Sequence, residues 1–227
     1  MTKEKDEYKS GFVAVVGRTN VGKSTLLNKM VGRKVAIMSD KPQTTRNRIL
    51  GVITREDAQF VFLDTPGIHK PKHKLGEQLV QTALNTLKGV DAVFFLVEAD
   101  SPPGPGDNFI IKQFEGLKTP VILVINKIDL VRREDLLPLI EQYSKLYHFT
   151  EIVPVSALTG ENLTRLLEQT VRYLPAGPQY YPEDAVTDRP ESFIMAELIR
   201  EKILHLTSQE IPHSVAVVIE ELEERRS

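Results

Sequence analysis

No cysteine occurs in the 227 residues, which excludes disulfides, zinc–thiolate centres and thiol nucleophiles together. Tryptophan is also missing and aromatic residues reach only 7%, so a core must be mainly aliphatic. No apolar run approaches the roughly 20 residues needed to cross a bilayer. The longest, such as Ala92 to Val97 and Val121 to Ile125, have the length of strands. Met1 to Ser10 is charged and polar, without the apolar stretch of a signal peptide, and reads as a flexible tail. The remainder, 41% hydrophobic and 26% charged, is the profile of a soluble globular chain with one ordinary domain and something smaller. A net charge of −2 conceals an asymmetry. Residues 1–175 carry 24 basic against 20 acidic side chains, whereas residues 176–227 carry 5 against 11.

Between residues 12 and 175, β-branched runs alternate with helical spacing. Strands are expected at Phe12–Gly17, Ile49–Arg55, Gln59–Asp64, Asp91–Val97, Pro120–Asn126 and Glu151–Val155. Helices are expected at Lys23–Val31, Leu75–Lys88, Asp107–Leu117, Glu134–His148 and Glu161–Tyr173. The two strands around Glu56 and Asp57 form a hairpin. The rest alternate with helices, which predicts an α/β fold: a mostly parallel six-stranded sheet covered on both faces, with one antiparallel strand at an edge. Ligands of such sheets sit at the carboxyl ends of the strands. Five prolines and glycines between Pro175 and Pro190 then mark a linker at 176–190. A helix at Glu191–Leu206 and a short strand at Ser214–Ile219 follow. The apolar stripe of that helix is expected to be buried as core.

Two motifs carry chemistry on their own. Gly17-Arg18-Thr19-Asn20-Val21-Gly22-Lys23-Ser24 fits the phosphate-binding pattern G-x-x-x-x-G-K-[ST] and lies between a predicted strand and helix. Backbone N–H groups of such a loop converge on phosphates, the lysine reaches the β- and γ-phosphates, and the serine hydroxyl binds Mg²⁺. Asn126-Lys127-Ile128-Asp129 closes another predicted strand. A carboxylate at Asp129 accepts two hydrogen bonds, which suits guanine N1–H and N2–H₂. Adenine would leave it unpaired, a mismatch that can discriminate by roughly 10⁴-fold.

Three weaker elements fall into line with these two. Asp64-Thr65-Pro66-Gly67 follows a strand, Pro42-Gln43-Thr44-Thr45-Arg46 lies between the two phosphate elements, and Ser156-Ala157-Leu158 follows the last strand. All five in this order resemble the Ras-like GTPase superfamily over about 165 residues. The resemblance implies a GTP-binding and GTP-hydrolysing switch with Mg²⁺. Its implied nucleotide set is Gly17, Asn20, Val21, Gly22, Lys23, Ser24, Thr25, Thr44, Thr45, Asp64, Gly67, Asn126, Lys127, Asp129, Ser156, Ala157 and Leu158. Ser24, Thr45 and Asp64 would hold the metal, and Thr45 is favoured over Thr44. Lys23, Thr45 and Gly67 would act on the γ-phosphate. Asn126 would tie the base loop to the phosphate loop, Lys127 would cover the base with its aliphatic stem, Ser156 would orient Asp129, and Ala157 N–H would meet guanine O6. The superfamily glutamine that orients water is replaced by Ile68, so slow intrinsic hydrolysis is expected. Relatives with that replacement recruit K⁺ near an asparagine in the position of Asn20. His69 is read as a solvated loop histidine, not a base.

Asn28 to Ile49, Gly67-Ile68-His69-Lys70-Pro71, Tyr181-Pro182-Glu183-Asp184 and Thr187-Asp188-Arg189-Pro190 resemble the Era family of bacterial GTPases. That resemblance implies a G domain at 11–175, a linker, and a KH-type RNA-binding domain that binds small-subunit ribosomal RNA and assists assembly of the small subunit. It also implies a cytoplasmic protein with peripheral association at the inner face of the plasma membrane. One departure bears on RNA. KH domains clamp RNA with a G-x-x-G loop, yet Gly177 is the single glycine of residues 176–227. The same stretch has the wrong net charge for phosphate. Residues 191–227 are expected to supply only the first helix and strand of such a domain, as in a shortened chain. Arg33, Lys34, Lys41, Arg46, Arg48 and Arg55 are read as a solvated surface, not an RNA-facing patch.

Overall fold

The computed structural model describes residues 7–36, 49–64, 87, 89–206 and 215–221. Its six strands are β1 (Lys9–Gly17), β2 (Ile49–Thr54), β3 (Ala58–Asp64), β4 (Ala92–Glu98), β5 (Val121–Asn126) and β6 (Glu151–Pro154). They form one sheet in the order β2-β3-β1-β4-β5-β6, in which only the edge strand β2 runs antiparallel to its neighbour. The described helices are α1 (Lys23–Val31), α2 (Pro105–Lys112), α3 (Arg133–Leu146), α4 (Leu163–Val171) and α5 (Glu191–Leu206).

Side-chain alternation along the strands sorts the helices onto two faces. Val16, Val93, Phe95, Val97, Leu123 and Ile125 pack with Ile110, Ile111 and Phe114 of the α2 region and with Leu139 and Tyr143 of α3. Their neighbours in sequence, Val13, Val15, Phe94, Leu96, Ile122 and Val124, point the other way, onto Leu26 and Leu27 of α1 and Leu163 and Leu166 of α4. β5 is buried along its whole length, as a strand covered on both faces must be.

Several boundaries differ from the sequence expectation. β1 begins at Lys9, not Phe12, and the supposed tail ends earlier. Lys9 and Ser10 pair with Ala58 and Gln59 of β3, and Ser10 is fully buried. Backbone pairing extends a strand past the point where apolar side chains stop announcing it. α2 starts at Pro105, whose ring suits a first helical position, and ends at Lys112, giving way to turn bonds from Phe114 N–H to Ile111 O and Leu117 N–H to Phe114 O. The expected helix at Leu75–Lys88 lies almost wholly outside the described residues.

Residues 176–186 are a docked strap and not a free linker. Ser10 N–H donates to Pro175 O at 3.1 Å, Gly177 N–H to Tyr8 O at 2.9 Å, and Val52 N–H to Val186 O at 2.9 Å. Its centre is Gln59, fully buried on β3. Gln59 Oε1 accepts the N–H groups of Tyr180 (2.7 Å) and Tyr181 (3.0 Å), while its Nε2 donates to Tyr181 O and Thr54 Oγ1, both at 2.9 Å. Every valence of that amide is used. Tyr180 also stacks on Phe12 with ring centroids 5.4 Å apart.

Beyond the strap, the expected helix forms with its expected bounds, as α5, whereas the expected strand and the burial of the helix's apolar stripe do not follow. Val215–Glu221 has no regular structure and Val218 is 79% exposed. A strand is completed by a neighbouring strand, and no strand pairing of this stretch occurs among the described residues. The apolar side of α5 is half open, with Met195, Ile199 and Leu206 exposed, whereas the residues buried among its described side chains are Arg200 and Glu201. Arg200 pairs with Glu197 at 2.7 Å and Glu201 with Lys34 at 2.7 Å.

Candidate functional site

Strands β1, β3, β4, β5 and β6 all end at the same edge of the sheet. Gly17 is level with Leu96, Asp64 with Val15, and Glu98 with Asn126. The loops that leave these ends therefore converge, and the two strongest motifs of the sequence are among them.

The phosphate loop runs from Gly17 into α1, whose positive end faces it. Asn20 takes φ 65° and Gly22 takes φ 96°. At Gly22 glycine is required twice over. Its φ lies in the left-handed region, and a Cβ there would stand 2.3 Å from Asn126 Nδ2. Lys23 is only 7% exposed, and its ammonium donates to Arg18 O at 2.6 Å and Gly17 O at 3.3 Å. Ser24 and Thr25 lie in the first turn of α1, half-buried. Further along that helix, Asn28 Oδ1 accepts Val35 N–H (2.9 Å) and Ala36 N–H (2.8 Å), and its Nδ2 donates to Ala36 O (2.6 Å). This amide holds the chain up to Ala36.

Asn126, 2% exposed at the end of β5, is the junction of the site. Its Nδ2 donates to Val21 O and its Oδ1 accepts Ala157 N–H, both at 2.9 Å. One side chain thus binds the phosphate loop on one side and the loop after β6 on the other. Lys127 follows in a left-handed conformation, φ 67°, and opens a single 3₁₀ turn, Ile128–Leu130, that presents Asp129 to solvent. Ile128 N–H donates to Val155 O at 3.3 Å, which ties this turn to the last strand.

Two expected roles meet different geometry. Ser156, fully buried, accepts Thr159 N–H on its hydroxyl at 3.1 Å instead of meeting Asp129. It shapes the turn that carries Ala157 and Leu158. Ala157 N–H, expected to face a base carbonyl, is directed to Asn126 Oδ1. Leu158 is 71% exposed on the rim. Asp64 is placed by its backbone at the end of β3. Thr44, Thr45, Gly67, Ile68 and His69 lie outside the described residues, as do Lys41, Arg46 and Arg48 of the basic set.

Sequence reading missed a charged group under this rim. Glu98, the last residue of β4, pairs with Lys127 Nζ through one carboxylate oxygen and with Arg18 at 3.3 Å through the other. Arg18 Nε lies 3.0 Å from Asp107 Oδ1, a charge contact whose angle falls short of a hydrogen bond. Asp107 is fully buried and accepts Gly104 N–H at 2.8 Å, closing the start of α2. Burial raises the Tyr143 phenol above its ordinary range, and the Asp107 charge adds to the rise, so the ring stays neutral. The available signal was a single carboxylate ending the otherwise apolar run Ala92 to Glu98, on the strand between the two motif-bearing strands.

Residues 12–127 match the family model described as 50S ribosome-binding GTPase. Over 216 residues the chain is 56% identical to GTPase Era of Staphylococcus haemolyticus (strain JCSC1435), covering 95% of this chain and 72% of that one. The crystal structure of Era in complex with MgGDPNP and nucleotides 1506–1542 of 16S ribosomal RNA superposes with a TM-score of 0.89. Identity to it is 46%, over 94% of this chain and 73% of that one. An Aquifex aeolicus Era variant bound to GDP·AlF4⁻ gives a TM-score of 0.88 at the same identity and coverage.

Proposed function

Because the chain belongs to the Era family of GTPases, we propose that its GTP-binding and GTP-hydrolysing cycle gates attachment to small-subunit ribosomal RNA during assembly of that subunit. The observation that carries the nucleotide half of this reading is the Asn126 bracket. It fixes a phosphate loop and a base loop in one rigid unit, with Asp129 on its rim.

In this reading Lys23 leaves the carbonyls of Gly17 and Arg18 to meet the β- and γ-phosphates, helped by the N–H groups at the start of α1. Asp129 reads guanine N1–H and N2–H₂, Lys127 lies along the base plane, and Leu158 with Ala157 borders the base. A water oxygen attacks the γ-phosphorus as the bond to the β–γ bridging oxygen breaks. Thr45 and Gly67 contribute backbone N–H groups at the γ-phosphate, so that catalysis is chiefly positioning and charge stabilisation.

Mg²⁺ fits the donors. No group of three His, Asp or Glu that could cage a metal occurs among the described residues. Ser24, Thr45 and Asp64 offer two hydroxyls and one carboxylate, the sparse set that suits an ion held largely by phosphates. When bound, it supplies positive charge to the phosphate oxygens. K⁺ beside Asn20 would add charge near the leaving oxygen.

The RNA half rests on likeness. The Era complex names 16S ribosomal RNA, a small-subunit RNA, and is similar over almost all of this chain. The family description that names the 50S subunit spans only residues 12–127, so we favour the small subunit. We assign 11–175 to the G domain and 191–227 to the start of a KH-type domain. No described helix is long and apolar enough to cross a membrane. We place the protein in the cytoplasm, with peripheral contact at the inner membrane face.

Asp129→Asn tests the base assignment. Xanthine carries a carbonyl at C2 and can accept the new amide N–H, so the variant should prefer XTP to GTP in competition against fluorescent nucleotide. Undiminished GTP selectivity would refute the assignment.

A further inference from the structure

We propose that Glu98 is a positioning residue for guanine nucleotide binding: it holds Lys127 and Arg18 in fixed relation and so locks the base loop to the phosphate loop. The proposal rests on the nucleotide reading above and adds a residue that none of the five motifs contains.

Strand order supplies the geometry. β4 lies between β1 and β5; it ends level with β5, Glu98 opposite Asn126, and runs past the end of β1, where Gly17 is opposite Leu96. β1 runs on into Arg18 and β5 into Lys127, so the carboxylate ending β4 has a cation on each side. Glu98 is 19% exposed, Lys127 31% and Arg18 30%. At that depth a charge pair is screened far less than on an open surface.

Each cation is held in a way that gives Glu98 leverage. Lys127 has a left-handed backbone, φ 67°, which costs energy for a residue with a Cβ. Its ammonium must be anchored if the aliphatic stem is to stay over the base. Arg18 is gripped from two directions, by Glu98 at 3.3 Å and by buried Asp107 at 3.0 Å. It lies across the first turn of α2 at Gly106, where a Cβ would come within 2.8 Å of Arg18 Cδ. The glycine thus leaves room for the aliphatic stem of Arg18 on its way to the two carboxylates. Two positive and two negative charges balance within the group. Asn126 joins the same two loops from beneath through neutral bonds, and Glu98 joins them at the rim through charge.

Such a lock acts on base and sugar contacts common to GDP and GTP. Glu98→Gln keeps the side chain's shape and removes its charge. In stopped-flow release of fluorescent GDP and GTP, it should accelerate dissociation of both by about tenfold, the size of a coupling between contacting charged neighbours. A merely structural role would not reproduce the next result. Lys127→Met should accelerate release similarly, and the E98Q/K127M double variant should release no faster than K127M alone. The melting midpoint of the nucleotide-free E98Q protein should stay within about 2 °C of wild type. Unchanged release in E98Q, multiplied effects in the double variant, or a loss that follows a lower melting midpoint would each overturn the proposal. Failure of the underlying reading looks different: the unaltered protein would hold GDP no better than ADP, and the proposal would fall with it.

Discussion

Replacing Asn126 with alanine should damage the site more than any exposed substitution, and the size of the effect follows from its two bonds. The amide is 2% exposed and makes both bonds at 2.9 Å. Truncation leaves Val21 O and Ala157 N–H buried without that partner, at about 1–3 kcal/mol for each group. The sum, about 2–6 kcal/mol, compares with a total stability of about 5–15 kcal/mol for a domain. Urea titration of the nucleotide-free protein should therefore show a lower midpoint at unchanged slope. Where water enters the gap and repairs one of the two groups, the loss falls to the lower end. Glycine at position 22 sharpens the test, because no Cβ stands ready to fill the space beside it. GDP release, followed by fluorescence, should accelerate by at least tenfold, since both loops lose their common anchor. Asn126→Asp separates the two bonds: it keeps an acceptor for Ala157 N–H and sets a carboxylate against Val21 O, so it should be no better than alanine. An alanine variant within about 0.5 kcal/mol of wild type, with unaltered GDP release, would refute the bracket as the organising element.

Lys23→Ala should abolish tight triphosphate binding while far-ultraviolet circular dichroism stays unchanged, because its ammonium serves loop carbonyls and phosphates and not the core; retained turnover would overturn the phosphate-loop reading. Hydrolysis should be faster in K⁺ than in Na⁺ at equal ionic strength, and Asn20→Ala should erase the difference; equal rates in the two salts would remove the ion. In a filter-binding titration this chain should hold small-subunit ribosomal RNA far more weakly than a chain that carries a complete KH-type domain, since residues 176–227 lack both a clamp loop and positive charge; equal affinity would move the RNA site to the G domain.

What the sequence made legible was whatever depends on neighbours in the chain. Gly22 and Lys23 announce a phosphate loop because turn and helix start lie side by side, and the runs at Ala92 and Val121 announce buried strands by being apolar throughout. What it concealed depends on residues distant in the chain and adjacent in the sheet. Glu98 looks like the polar end of a strand until β1 and β5 are laid on either side of it. Gln59 looks like a solvent-facing position, yet it is fully buried because three of its four partners are backbone groups of Tyr180 and Tyr181, more than a hundred residues away. Proline and glycine between 175 and 190 correctly marked the end of the alternating pattern. They say nothing about whether the chain then leaves the surface or runs along it. The open apolar side of α5 and the irregular stretch Val215–Glu221 show the converse: local pattern proposes an element, and only a neighbouring element completes it.

The docked strap also fixes where the chain pivots. Were residues 176–190 a loose tether, a flexible chain of about 15 residues would have a root-mean-square reach of about 21 Å. With the chain pinned as far as Val186, only about four residues remain before α5, and the reach shrinks to about 11 Å. The volume that the start of α5 can explore contracts by a factor of about seven, and its local concentration at the G domain rises in proportion. An ion pair such as Lys34 with Glu201, in which a part-exposed ammonium meets a buried carboxylate, then forms as an intramolecular event at high effective molarity. The amide of Gln59 therefore sets how strongly two otherwise sparsely joined parts of the molecule find each other, although it touches neither α5 nor the nucleotide loops.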